Sequence, residues 1–170
     1  MSPDTKTALA ARLEAPRFQN GEAKLVAGLC GRYTGQTLES LPAQWRRFQP
    51  YIGKLPAQVG RDTYGLCFGA SNPQGIDYLT AVEVKEAQGL PQKFRVAQIP
   101  AQAYAVFVHR GHIRELRTTL DLIAQTWKPE WGRPPRKTAI ETPDFFERYT
   151  DTFDPESGSG AVEICVPVES

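Results

Sequence analysis

Apolar positions recur along the chain with two periods, and the switches between them mark out the elements. The run Leu25–Tyr33 (LVAGLCGRY) is continuous in apolar and small residues, which predicts a strand. From Ser40 the spacing changes. Leu41, Trp45, Phe48 and Ile52 fall three and four residues apart, on one face of a helix. Pro42 suits the first turn of that helix, where its missing N–H costs nothing; Pro50 should kink the helix or end its regular part. Strand-like runs return at Thr63–Ser71 and Asp77–Lys85, a hairpin turned at Asn72-Pro73-Gln74-Gly75.

The same order then repeats. Phe94–Gly111 predicts a strand pair, with Pro100 at a bend or edge position. Ile113, Leu116, Leu120, Ile123 and Trp127 form the apolar stripe of a second helix, with Arg114, Glu115, Arg117, Asp121 and Gln125 away from it. Pro129, Gly132, Pro134 and Pro135 end this helix in a loop. Two strands close the chain, Asp144–Asp151 and Ala161–Glu169, on either side of the turn-forming stretch FDPESGSG (153–160). Strand, helix, hairpin, twice over, is the pattern of a duplicated unit. Each half alone would bury too little apolar surface to stand by itself. Together they predict an α+β fold, a tandem strand–helix–strand–strand repeat giving a mainly antiparallel sheet with two helices packed on one face. The expected organisation is a polar lead-in, 1–15, followed by a single domain, 16–170, whose pseudo-repeats cover about 16–90 and 91–170.

Composition narrows the function. The 170 residues are 41% hydrophobic and 23% charged, with a formal net charge of +1. That lacks the basic footprint of a nucleic-acid binder, and Arg133, Arg136 and Lys137 read as a solvated loop. No stretch approaches the roughly 20 apolar residues of a membrane span. The N-terminus has no apolar core of signal-peptide length, so a cytoplasmic location is expected. Cys30, Cys67 and Cys165 are odd in number and far apart in sequence. They support neither a disulfide framework nor a metal site, and read as small apolar residues in strands. His109 and His112 sit close together near a turn without an obvious third ligand, so no metal is expected. No phosphate-cradling glycine loop or nucleophile elbow is present, and no cofactor is implied.

The most informative stretch is DFFERYTD (144–151). In a strand, Phe145, Glu147 and Tyr149 point one way, and Phe146, Arg148 and Thr150 the other. The first set is the more aromatic, and Arg148 belongs in water, so Glu147 is expected inside, among rings. A buried carboxylate needs a partner. Either a protein cation or hydrogen-bond donors supply it, or a ligand does; an organic cation would gain cation–π attraction from the surrounding rings. Trp45, Tyr64, Phe68, Tyr78, Tyr104, Trp127 and Trp131 are candidates for the lining. Tyr64, Leu66 and Phe68 share one strand face, as do Tyr78, Thr80 and Val82.

Several stretches in order resemble the gyrase-inhibitor-like (GyrI-like) small-molecule-binding family, which also supplies effector-binding domains of AraC- and MerR-type multidrug-responsive regulators. They are LVAGLCGRY, the LPAQWRRF helix, TYGLCFG followed by DYLTAVEV, and the C-terminal PDFFERYTDTFDPESGSGAVEICVPV. The resemblance spans roughly residues 15 to 169. It implies the tandem repeat already read from periodicity, a ligand channel near the junction of the halves, and a central glutamate, here Glu147, that meets cationic or heteroaromatic molecules. Trp45, Tyr64, Tyr78 and Trp127 resemble family aromatic positions near that channel. Regulators of the family carry a DNA-binding segment ahead of this domain; the few residues before the first strand lead us to expect none here.

The leading expectation is therefore a stand-alone, cytoplasmic protein that sequesters or senses a small organic ligand, with Glu147, Tyr149, Trp45, Tyr64, Tyr78, Trp127, Phe68 and Tyr104 around it. It would not touch DNA or membrane. The alternative is a hydrolase of strained electrophilic natural products such as cyclopropane-bearing toxins, with Glu147 as base and Tyr149 or Tyr104 stabilising developing charge. A homodimer through a free sheet face, and a protein partner, stand as further readings.

Overall fold

The apolar runs at strand spacing become one antiparallel sheet, and the two helical stripes pack on one face of it. The computed structural model describes residues 13–69, 74–125, 127 and 142–169. Its strands are β1 (Arg17–Gly21), β2 (Lys24–Tyr33), β3 (Gln58–Phe68), β4 (Ile76–Val84), β5 (Arg95–Ile99), β6 (Gln102–His109), β7 (Phe145–Tyr149) and β8 (Val162–Pro167). Its helices are α1 (Leu41–Phe48) and α2 (Leu116–Gln125). The eight strands form a single curled sheet in the order β1-β6-β8-β7-β3-β4-β2-β5. The fold is α+β, as the two periodicities require.

Proline chemistry sets the bounds of α1. Pro42 lies in its first turn, and Pro50 falls in the 3-10 turn Gln49–Tyr51 that replaces the helix after Phe48. Ile52 therefore lies beyond the helix. At α2 the stripe is shorter than its sequence suggests: Ile113 belongs to a preceding 3-10 turn, and Trp127 lies past the last helical residue. Pro129, Trp131, Gly132, Pro134, Pro135, and the charges Arg133, Arg136 and Lys137, lie outside the described residues.

Each half is a β-β-α-β-β unit; the second half opens on the strand pair expected around Pro100, and the first half gains β1, which the sequence pattern does not show. The first strand of each half pairs with the other half: β1 runs beside β6, and β5 beside β2. Glu22 and Ala23 separate β1 from β2 just as Pro100 and Ala101 separate β5 from β6. Matching Arg17–Gly21 to Arg95–Ile99 thus matches Val26 to Tyr104. Through the registers it then matches Glu83 to Pro167, Thr80 to Ile164, and Gly65 to Glu147. Gly65 and Glu147 are also paired with each other, across the β3–β7 seam. The pseudo-twofold axis passes between them.

The two faces of the sheet carry separate sets of residues. On the helix-covered face, Phe48 of α1 packs with Ala27, Ala57, Val82 and Val84, and Leu116 and Ile123 of α2 pack with Ala105, Phe107, Val162 and Ile164. Trp45 touches both groups. On the opposite face, Val26, Tyr64, Leu66, Phe68, Leu79, Ile99, Tyr104, Val106, Phe146 and Cys165 form a continuous cluster, because the curl brings distant strands together.

Candidate functional site

Strand alternation in β7 places Phe145, Glu147 and Tyr149 on the helix-covered face and Phe146 on the other, as the sequence indicates. Glu147 is 3% exposed. Its partners are not cations but phenols. The Tyr78 hydroxyl of β4 donates to Glu147 Oε1 at 2.5 Å, and the Tyr149 hydroxyl donates to the same oxygen at 2.8 Å. Among the described residues, none donates to Oε2, and no lysine, arginine or histidine pairs with this carboxylate. Trp45 of α1 stands edge-on to both rings, with centroids 5.2 Å from Tyr149 and 6.4 Å from Tyr78.

The electrostatics follow from burial. Desolvation pushes the Glu147 carboxyl above its ordinary value, and the two phenol donors pull it partly back by stabilising the charged form. Both phenols are pushed well up, chiefly by burial and then by the adjacent carboxylate, so they remain protonated donors. A buried carboxylate whose one oxygen is held by two neutral hydroxyls attracts a cation that can reach it without a hydration shell.

The geometry divides the expected residues. Glu147, Tyr149, Tyr78 and Trp45 meet at one point on the pseudo-twofold axis. Trp127 lies on the same face but packs its ring on Phe107, 5.8 Å between centroids, in the group under α2. Tyr64, Phe68 and Tyr104 belong to the opposite face, where Tyr64 and Tyr104 both pack on Phe146. The Tyr104 hydroxyl donates to the Pro100 carbonyl at 2.7 Å. The sheet itself separates it from Glu147, which removes Tyr104 as a catalytic partner of that acid. Alternation assigns residues to faces within one strand; only the register between strands says which faces coincide.

The room expected around the carboxylate is occupied by the phenols themselves. Two cavities elsewhere do not include Glu147. One, about 250 Å³, is lined by Pro56, Ala57, Lys85, Glu86 and Leu90. The other, about 50 Å³, opens on the opposite face beside Tyr64, Tyr104, Phe146 and Arg148.

Two residues of the site carry no obvious sequence signal. Gln44, one position before Trp45, is 1% exposed. Its amide donates to the carbonyls of Leu29 at 2.8 Å and Tyr78 at 3.0 Å and accepts from the Tyr33 hydroxyl at 2.5 Å, tying α1 to β2 and β4. Gly65 faces Glu147 across the seam. A methyl group there would stand 1.9 Å from the Tyr78 hydroxyl and 2.7 Å from Glu147 Oε1.

The cysteines and histidines have other duties. Cys67 and Cys165 are buried, and desolvation pushes both thiols to about 12, far from reactive; Cys30 is exposed. His109 bonds Thr119 Oγ1 at 2.7 Å and the His112 carbonyl at 3.0 Å, and His112 accepts from the Arg114 backbone N–H at 3.1 Å. Among the described residues, no helix is long and apolar enough to cross a membrane.

A duplicated β-β-α-β-β sheet with a buried acid on its axis is matched by a family model described as GyrI-like small molecule binding domain, over residues 14–169. The chain belongs to this family. It is 30% identical over 143 residues to the transcriptional regulator BrlR of Pseudomonas aeruginosa, a match covering 81% of this chain and 48% of that protein. The chain thus spans about half the length of that relative. Among solved structures it is similar to SAV2435 bound to tetraphenylphosphonium, with TM-score 0.70 and 21% identity over 92% of this chain and 95% of that one. It is also similar to the EcmrR C-terminal domain, with TM-score 0.64 and 16% identity over 93% and 98% of the two chains. A GyrI-like domain in this chain is thus a small-molecule binding domain.

Proposed function

We propose that this GyrI-like domain binds lipophilic organic cations at Glu147, and that the rings of Trp45, Tyr78 and Tyr149 part to admit the ligand and then pack against it. The observation that carries the reading is the state of the carboxylate: buried, and bonded among the described residues only to neutral phenols. A hydrated metal ion or ammonium would have to shed its water there. A bulky cation with its charge buried among aryl groups has little hydration to lose, and gains cation–π attraction from the tyrosine and tryptophan faces. Tetraphenylphosphonium, the ligand named with SAV2435, has this chemistry. BrlR carries a regulator name and EcmrR is seen in complex with DNA, which supports a sensing use of the site.

The hydrolytic reading has less support. Of its two candidate tyrosines, Tyr104 is on the far face, and the Tyr149 hydroxyl is committed to Oε1, which also accepts from Tyr78. Titration calorimetry with tetraphenylphosphonium tests the proposal. Saturable one-to-one binding is expected, weakened roughly tenfold or more by Glu147→Gln, the loss that follows from removing a charge-assisted contact. Equal affinity of the two proteins would overturn it.

A further inference from the structure

The two halves of the fold supply different residues at the one position that pairs with itself. Half two places Glu147 on the axis; half one places Gly65 there. Packing alone does not require a glycine in the middle of β3: its neighbours on that face, Thr63 and Cys67, carry side chains, and a strand interior is weakened by a bare Cα. The space a side chain would occupy is filled instead. The Tyr78 hydroxyl lies 1.9 Å from where a Cβ would stand, and the ring carbon that bears it 2.7 Å away. Both atoms would have to retreat, and Tyr78 is buried in the same layer.

The geometry points to Gly65 as a positioning residue for the ligand-binding acid: its bare Cα admits the Tyr78 hydroxyl to Glu147 Oε1, and this second donor favours the charged carboxylate that a cation requires. The inference rests on the reading of Glu147 as the cation site and adds a residue that touches no ligand. The other groups facing the carboxylate do not substitute for Tyr78. From β7 comes Tyr149, already bonded to Oε1. From β3 comes Cys67, whose thiol stays protonated. From β8 come the apolar Val162 and Ile164, and from α1 the uncharged Trp45. Among the described residues no other charge holds Glu147 ionised, so the two phenols oppose its desolvation.

The test is a double-mutant cycle read by the titration of Glu147 itself, followed by carboxyl carbon NMR without ligand, and by tetraphenylphosphonium affinity. Tyr78→Phe, which adds no bulk, should raise the titration midpoint of Glu147 and weaken the cation roughly tenfold at neutral pH. Gly65→Ala should do the same. The double variant should stay close to Tyr78→Phe if the methyl acts by displacing that hydroxyl; a direct push of the methyl on Oε1, 2.7 Å away, would shift it further. A folded Gly65→Ala protein with an unmoved midpoint would overturn the inference, as would a double variant shifted well beyond Tyr78→Phe. If Gly65→Ala does not fold, an unmoved midpoint in Tyr78→Phe still overturns it. Because the midpoint needs no ligand, the result stands apart from whether tetraphenylphosphonium binds at all.

Discussion

The indole of Trp45 meets the ring of Tyr149 edge to face at 5.2 Å, and at this contact helix α1 closes over the carboxylate. The same indole packs with residues under both helices, so a single side chain couples the cover of the site to the core around it. Trp45→Ala should therefore act twice. It should lower unfolding free energy by about 2–4 kcal/mol, the cost of truncating a large, partly buried aromatic, seen as a lower urea midpoint. It should also speed tetraphenylphosphonium association in stopped-flow measurements while lowering affinity, since both lid and stacking surface are removed. Unchanged association kinetics would show that α1 does not gate the site.

Gln44 makes that cover a fixed one. Its amide joins α1 to Leu29, Tyr33 and Tyr78 in a place water does not reach. Gln44→Ala leaves a buried phenol without its acceptor and opens a cavity, so a loss of about 2–4 kcal/mol is expected on chemical denaturation. A loss below about 0.5 kcal/mol, the range of ordinary surface substitutions, would contradict the role assigned to it.

The buried acid predicts a particular pH dependence. Glu147 is raised in the folded state above its ordinary value of about 4.5. As pH climbs through that value, the unfolded chain gives up this proton first, so the folded state loses stability until its own carboxyl ionises. The Glu147 contribution is thus greatest at low pH and declines as pH rises through the folded-state midpoint. Denaturation measured from pH 4 to 8 should show wild type falling relative to Glu147→Gln over this window. A constant difference between the two proteins would mean that the acid is not perturbed.

Much of this was legible in the residues alone. Period-two alternation in DFFERYTD placed Glu147 inward among rings, and the apolar stripe with Pro42 and Pro50 located α1 and its end. Four parts were not. β1 (RFQNG) is too polar to read as a strand; it exists because it pairs with β6, which no local pattern reveals. Gln44 is a single polar residue within a helix, and its burial comes from carbonyls on two other elements, which no local pattern shows. Gly65 is one small residue in a run of them, and its meaning appears only with the seam register. Tyr64, Phe68 and Tyr104 are aromatic and buried, but their face relative to β7 is a matter of pairing between strands and of the curl that gathers them behind the sheet.

Their separation gives a sharp negative prediction. Tyr104→Phe removes a hydroxyl that bonds the Pro100 carbonyl on the far face. It should cost about 1 kcal/mol of stability and leave tetraphenylphosphonium affinity unchanged within twofold. A large loss of affinity would move the ligand to the opposite face.

The central claim concerns where a cation sits, and a crystal structure of the domain soaked with tetraphenylphosphonium addresses it most directly. The phosphonium should lie beside Glu147 Oε2, with the Trp45, Tyr78 and Tyr149 rings turned outward against its phenyl groups. A cation lodged in the cleft between Pro56 and Leu90, or behind the sheet beside Tyr104 and Arg148, with the Tyr78 and Tyr149 hydroxyls still closed on Glu147, would contradict it.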